Sequence, residues 1–278
     1  MFGKRPDATL VRDLSTIRRF MPYISPRRND SVFYMNIDIR ADAAFEFIEK
    51  KNKERPRNRP LTLFHLYLRA ISMIYFLRPG VNRFVKAGQL WQRDGVWLSF
   101  SAKRKLIDGS PMITIKRRFY PESETLDEMT DATYEQLRAG RKGKETRSDK
   151  EMRWLLRLPH PLPRIPLAIA QVADHFGLLP RKMIDADPLY ASIFIANLGS
   201  IGYPAGFHHL WEYGSISIFA VMGKIESDAD GGRKFTVAYT YDERIEDGLY
   251  SQHSLGMVRD WVENPETMVD PVELPEDR

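Results

Sequence analysis

The residues that could do chemistry in this chain are few in kind. No cysteine occurs in its 278 residues, which removes disulfides, thiolate nucleophiles, zinc ribbons and iron–sulfur clusters. Six histidines and the carboxylates remain as candidate acids, bases or ligands. His208 and His209 are adjacent, and neighbouring side chains point in different directions on most backbones, so they do not make a shared metal pair and no metal is expected. Either ring, or His253 further on, titrates in the range of a general base, although packing or capping is the plainer role. His65 lies in an apolar run and is expected to be a packed, hydrogen-bonded core residue. Asp242-Glu243-Arg244-Ile245-Glu246-Asp247-Gly248 places five ionisable residues in a stretch of seven.

Elements that must position these residues follow from hydrophobic periodicity. Leu10, Val11, Leu14, Ile17 and Met21 have helical spacing, stopped at Ser25-Pro26. Residues 31–39 alternate as a strand and residues 41–51 read as a helix, followed by a solvated basic loop over residues 51–60. Residues 61–77 carry Arg69 as their one formal charge and end at Arg78-Pro79-Gly80, the pattern of a buried central helix. Two strands are expected at 90–102 and 111–119, joined through Asp108-Gly109. Their basic clusters, Lys103-Arg104-Lys105 and Lys116-Arg117-Arg118, suit a CoA-type anion but read first as solvated. A polar helix at 125–138 and a charged loop at 139–148 come next. Prolines at 159, 161, 163, 166 and 180 then bracket an apolar stretch, which suggests two short helices and a proline-rich elbow; its length and mixed polarity favour packing against the domain or a partner subunit over the alternative of a membrane-surface role. In the last third, strands are expected at 191–199, ending in Asn-Leu-Gly, at 215–225 and at 234–241, before a helix at 249–263.

Composition limits the function classes. The formal charge is +5, from 42 Lys and Arg against 37 Asp and Glu, and it is spread along the chain rather than gathered on one element, which argues against a nucleic-acid binder. Acidic small molecules suit it better. No apolar leader stands at the N-terminus and no uncharged apolar run reaches the ~18 residues of a membrane span, so a soluble, cytoplasmic protein with no membrane partner is expected. With no fixed repeat and no evident linker, residues 1–278 are expected to form one domain carrying a proline-rich helical insertion at about 152–180.

The order Asn-Leu-Gly-Ser-Ile-Gly at 197–202, a strand ending in Gly223-Lys224-Ile225, Asp-x-Arg-x-x-Asp-Gly at 242–248 and a closing helix before Asn264-Pro265-Glu266 resembles the catalytic domain of the dihydrolipoyl acyltransferases of 2-oxo acid dehydrogenase complexes. These are relatives in fold of chloramphenicol acetyltransferase. The central helix running into Arg78-Pro79-Gly80-Val81-Asn82 extends the resemblance upstream, so it covers roughly residues 11–268, without a lipoyl-bearing or subunit-binding module. It implies an α/β, chloramphenicol acetyltransferase-like two-layer sandwich, with a mixed sheet and helices on one side. It also implies a homotrimer with an active channel between neighbouring subunits, CoA or acyl-CoA as substrate and a small-molecule acyl acceptor. Trimers of that family can build larger cages through the C-terminal tail; here the tail, residues 269–278, is polar and proline-containing.

The family uses His-x-x-x-Asp-Gly, in which the imidazole takes the proton of an incoming thiol or hydroxyl, and a serine that hydrogen-bonds the tetrahedral oxyanion. Here the histidine position is Glu243 and the serine position, just before Asn197, is Ala196, while Asp247 and Gly248 are kept. The family's aspartate pairs with an N-terminal arginine, for which Arg18 or Arg19 would serve. A carboxylate raised by burial could still act as base at Glu243, or His208 or His209 could replace it. The bland reading makes Glu243 a structural carboxylate paired with Arg244 or another arginine. Two functions follow: a CoA-dependent acyltransferase with an altered site, or a catalytically silent trimeric scaffold.

Overall fold

The computed structural model describes residues 4–104, 107–110, 112–142, 153–154 and 156–274. Six strands form a mixed sheet in the order β2 (Val32–Arg40), β9 (Arg233–Asp242), β8 (Ile218–Ser227), β7 (Ile193–Asn197), β5 (Val96–Lys103) and β6 (Met112–Phe119). β7 runs parallel to both β5 and β8, and the other neighbours are antiparallel. A second sheet has the order β1 (Ala8–Leu10), β4 (Gln89–Arg93), β3 (Arg83–Lys86). No helix among the described residues is long and apolar enough to cross a membrane.

One face of the large sheet carries the main core. Ile37, Ile39, Ile193, Ile195, Ile218, Ala220, Val237 and Tyr239 alternate toward helices α2 (Asp42–Asn52), α3 (Leu63–Leu77), α4 (Leu126–Arg141) and α7 (Gly248–Glu263), as strand alternation requires. The central helix α3 is buried along almost its whole length. Its Arg69 is tolerated there because the guanidinium donates to the carbonyls of Met268 (3.1 Å) and Asp270 (2.6 Å); burial still pushes its pKa down to about 10. α4 starts on the capping box of Thr125 and Glu128. The opposite sheet face, with Phe194, Phe219, Val221 and Ala238, is covered instead by the irregular segment around Leu210 and Trp211.

Several elements differ from the sequence-based reading. The first helix, α1, spans Thr16–Ile24, because Ala8–Leu10 pairs with β4 as a strand. The expected strand 90–102 is two strands in different sheets, divided at Asp94-Gly95, where Gly95 takes φ +72°. Lys116 and Arg117 are not solvated. Lys116 donates to the carbonyls of Ile184 (2.6 Å) and Asp187 (3.2 Å) and lies over the Trp97 ring; burial, with Arg93 next, pushes its pKa down to about 7. Arg117 is buried and paired with Glu124. In the proline-rich stretch, turns at 156–163 lead into α5 (Arg164–His175), and α6 (Arg181–Ala186) follows after Pro180. Pro166 stands in the first turn of α5, where its missing N–H costs nothing.

Two buried charge clusters tie these layers together. At the end of β9, Asp242 and Arg244 form a two-point pair, with both bonds at 2.8 Å. Arg244 also donates to the carbonyls of Ser25 (2.9 Å) and Pro26 (3.0 Å), and Arg28 Nε lies 3.9 Å from Asp242. In the second cluster Asp174 of α5 binds Arg5 at 2.7 Å, Lys86 at 2.5 Å and the Tyr190 hydroxyl at 3.0 Å, and Arg5 passes the chain on to Asp7. Deleting one partner of a buried pair strands the other charge. Asp242→Ala is therefore expected to cost about 3–5 kcal/mol, read as a lower urea midpoint at unchanged slope; an unchanged midpoint would show the pair to be dispensable.

Candidate functional site

Two sheet positions carry the residues singled out by sequence, and they lie apart. Glu243 follows the last residue of β9. Its N–H donates to the Ser31 carbonyl (2.9 Å) and its own carbonyl accepts from Arg18 Nη1 (2.8 Å), so the backbone is held on both sides while the side chain is exposed. The expected pairing of Glu243 with Arg244 does not form, because the Arg244 guanidinium is taken by Asp242 and by the carbonyls of residues 25 and 26. Nor does Asp247 pair with Arg18 or Arg19 among the described residues. It caps α7 instead, accepting from Tyr250 N–H at 2.8 Å, a use for which an aspartate at a helix start is well suited. His253 sits exposed on α7.

Ala196 and Asn197 end β7. Ala196 opposes Val221 and Asn197 opposes Met222 on β8. Asn197 Oδ1 accepts from Ser200 N–H (3.1 Å) and its carbonyl accepts from Ser200 Oγ (2.8 Å). Gly199 has to be glycine here, because a Cβ would run into the Gly223 carbonyl. The β8 ladder is interrupted between Met222 and Ile225, which frees Lys224 N–H to bind the Tyr203 carbonyl at 2.8 Å. Ala196 presents only a methyl group, so no side-chain donor stands at the expected oxyanion position.

These residues open onto a groove between α3, α4 and the ends of β7 and β8. One part, of about 440 Å³, is lined by Phe64, His65, Tyr134, Asn197 and Ser200. The adjoining part, of about 250 Å³, is lined by Phe100, Lys103, Ala196 and Leu198, and Arg141 borders both. The lining combines aromatic and aliphatic side chains with the cations Lys103 and Arg141. Lys103 and Arg141 join this site through topology, and no local motif marks them. Ser200 could have been read from the Asn-Leu-Gly-Ser run, which spells a turn closed by an Asn side chain.

Strand register measures the separation of the two positions. Tyr241 opposes Ile218, whereas Val237 opposes Met222, the partner of Asn197. Six residues of strand and two inter-strand spacings thus put Glu243 roughly 20 Å from Asn197. One chain does not bring them together.

His208 and His209 lie on the other sheet face. The His208 ring stacks on Phe219 (4.1 Å between centroids) and approaches Trp211 at 5.1 Å. Its Nδ1 is 2.7 Å from the His209 carbonyl; a carbonyl only accepts, so that nitrogen carries the proton and Nε2 the lone pair. Burial lowers the His208 pKa. No group of three or more potential metal ligands occurs among the described residues.

His65 is buried as expected, with Nδ1 2.8 Å from Thr62 Oγ1, but it also borders the groove and its Nε2 has no partner. Burial, and then Arg55, pushes its pKa down to about 4. The unfolded chain therefore takes up a proton below pH ~6.5 that the folded chain refuses until about 4. Stability is expected to fall by about 1.4 kcal/mol per pH unit as pH drops through that window. In urea titrations this slope should be reduced in His65→Gln, and equal slopes in the two proteins would refute the assignment.

No family model and no curated protein matches the sequence. Solved structures do match. The truncated catalytic core of the 2-oxoacid dehydrogenase multienzyme complex from Thermoplasma acidophilum aligns over 92% of this chain and 98% of its own, with TM-score 0.57 and 13% identity. Azotobacter vinelandii dihydrolipoamide acetyltransferase aligns over 94% of each chain, with TM-score 0.53 and 13% identity. A chloramphenicol acetyltransferase aligns over 95% of this chain and all of its own, with TM-score 0.56 and 13% identity. The mixed sheet with its helical layer is thus the chloramphenicol acetyltransferase-like fold shared by these acyltransferase cores.

Proposed function

We propose that this protein is a self-associating, CoA-ester-binding acyltransferase. In this reading the Glu243 edge of one copy faces the Asn197–Ser200 groove of the next, in a homotrimer. The observation that carries it is the separation of roughly 20 Å between residues 243 and 197 set by the strand register: a centre that uses both must draw them from two chains. Exposed apolar residues surround the Glu243 edge, namely Ile17, Phe20 and Ile24 on α1, Phe33 on β2 and Leu249 on α7, as a subunit contact would need. The groove suits CoA, with Lys103 and Arg141 toward the phosphates and Phe64, Phe100 and Leu198 along the pantetheine arm.

The chemistry is a transfer from sulfur to an acceptor thiol, hydroxyl or amine. The acceptor attacks the thioester carbonyl as the Glu243 carboxylate takes its proton. The tetrahedral intermediate collapses with cleavage of the carbon–sulfur bond, and the proton passes to the CoA thiolate. A positioned base is worth about 10²–10⁴ in rate, and a missing oxyanion donor costs about 10²–10³. With a methyl at Ala196, turnover should be slow. The same methyl favours a second reading, a catalytically silent trimer that binds partners without turning over.

Mass photometry and calorimetry test the proposal together. Trimers that bind acetyl-CoA and lose slow transfer in Glu243→Ala are expected. Monomers, or no CoA binding, would overturn it, whereas CoA-binding trimers with no turnover would support the silent reading. In the pair Glu243→His with Ala196→Ser, transfer is expected to rise by at least about 10²; no gain would mean that the two positions do not meet.

A further inference from the structure

Helix α5 is docked by its small residues and leaves its large ones in water. Asp174 is fully buried, held by Arg5, Lys86 and Tyr190, and Ala170 and Ala173 pack beside it against Leu179, Ile184 and Tyr190. Ile165, Ile169, Val172 and Phe176, spaced i, i+4, i+7 and i+11 along one stripe, are 55%, 64%, 57% and 40% exposed. Leu162 before the helix and Leu178 after it extend the exposed apolar surface, and Trp154 and Leu156 stand exposed upstream. A helix that met only water would carry its polar residues on that stripe.

Charge identifies what the stripe meets. From residue 153 to residue 184 the sequence contains one acidic residue, Asp174, and it is neutralised in the interior. Arg157, Arg164 and Lys182 are exposed around the stripe. We propose that this face is a peripheral docking surface for an anionic lipid bilayer. The apolar stripe enters the headgroup boundary while the arginine and lysine heads stay at the level of the lipid phosphates. Symmetric pairing of two copies through the stripe fits less well, since it would set the cationic rims of both copies against each other. The surface is preformed, because the buried Asp174 bonds hold the helix at its inner side. This departs from the sequence-based reading, which weighed a membrane-surface role for this stretch and favoured packing against the domain or a partner subunit on its length and mixed polarity.

The test is flotation of the full chain with vesicles of phosphatidylcholine alone and of phosphatidylcholine with phosphatidylglycerol. Binding is expected to the anionic vesicles only, and to weaken with added salt. Ile165→Ser with Ile169→Ser, both on the exposed stripe, should abolish it at an unchanged urea midpoint. Arg157→Glu with Arg164→Glu should weaken it by at least about tenfold. The proposal falls if the chain floats with neither vesicle, or if the serine variant binds as well as the parent. It falls also if the serine variant dissociates an oligomer in mass photometry while vesicle binding is absent, which would give the face to a second copy.

Discussion

The pair of Asp242 and Arg244 is the constraint on which the sheet end depends. A carboxylate and a guanidinium removed from water are tolerable when each is fully bonded. Here the guanidinium spends its donors on Asp242 and on two carbonyls of the segment before β2. The chain between β9 and α7 is thereby fastened to residues 25–28 and cannot slide along the sheet. Glu243 sits between the two partners and inherits their rigidity through its own N–H and carbonyl. Its carboxylate takes no part in this framework, so the position is fixed by its neighbours whatever side chain it carries.

The groove is built by the same division of labour. Asn197 spends its side chain on the Ser200 N–H, and Gly199 allows the turn to lie against Gly223. Ala196 beside them contributes no hydrogen bond. Residues that shape the backbone here and residues in the expected reacting positions are thus distinct sets.

How much of this could be read beforehand depended on how local its cause was. α3 was legible because an apolar run with one charge has no other stable place than the core, and α4 because its capping box is written in four consecutive residues. The division at Asp94-Gly95 is hard to read because large apolar residues, Leu90 and Trp91 before it and Val96, Trp97 and Leu98 after it, stand on both sides and the turn signal is only two residues long. Lys116 reads as solvated because the acceptors of its hydrogen bonds are carbonyls contributed by residues 184 and 187, which no local pattern places nearby. The groove has the same origin, since Lys103 and Asn197 meet through sheet order and Arg141 reaches them from the end of α4. For the sheet end, the charged run at 242–248 is plain in the sequence, but which partner each of its side chains meets is decided by the fold.

The strand order leaves β2 at one border of the large sheet with a free ladder edge, and its two ends differ in character. Toward its C-terminal end Asp38 is bonded to Lys234 and Thr236, and Arg40 to Asp230, so a foreign strand laid alongside would have to disturb paired charges. Toward its start stand the exposed rings of Phe33 and Tyr34. Charged flanks of this kind discourage runaway edge-to-edge growth into aggregates. Lateral contact is thereby confined to a short aromatic foothold, enough for a finite assembly and too short to template a fibre.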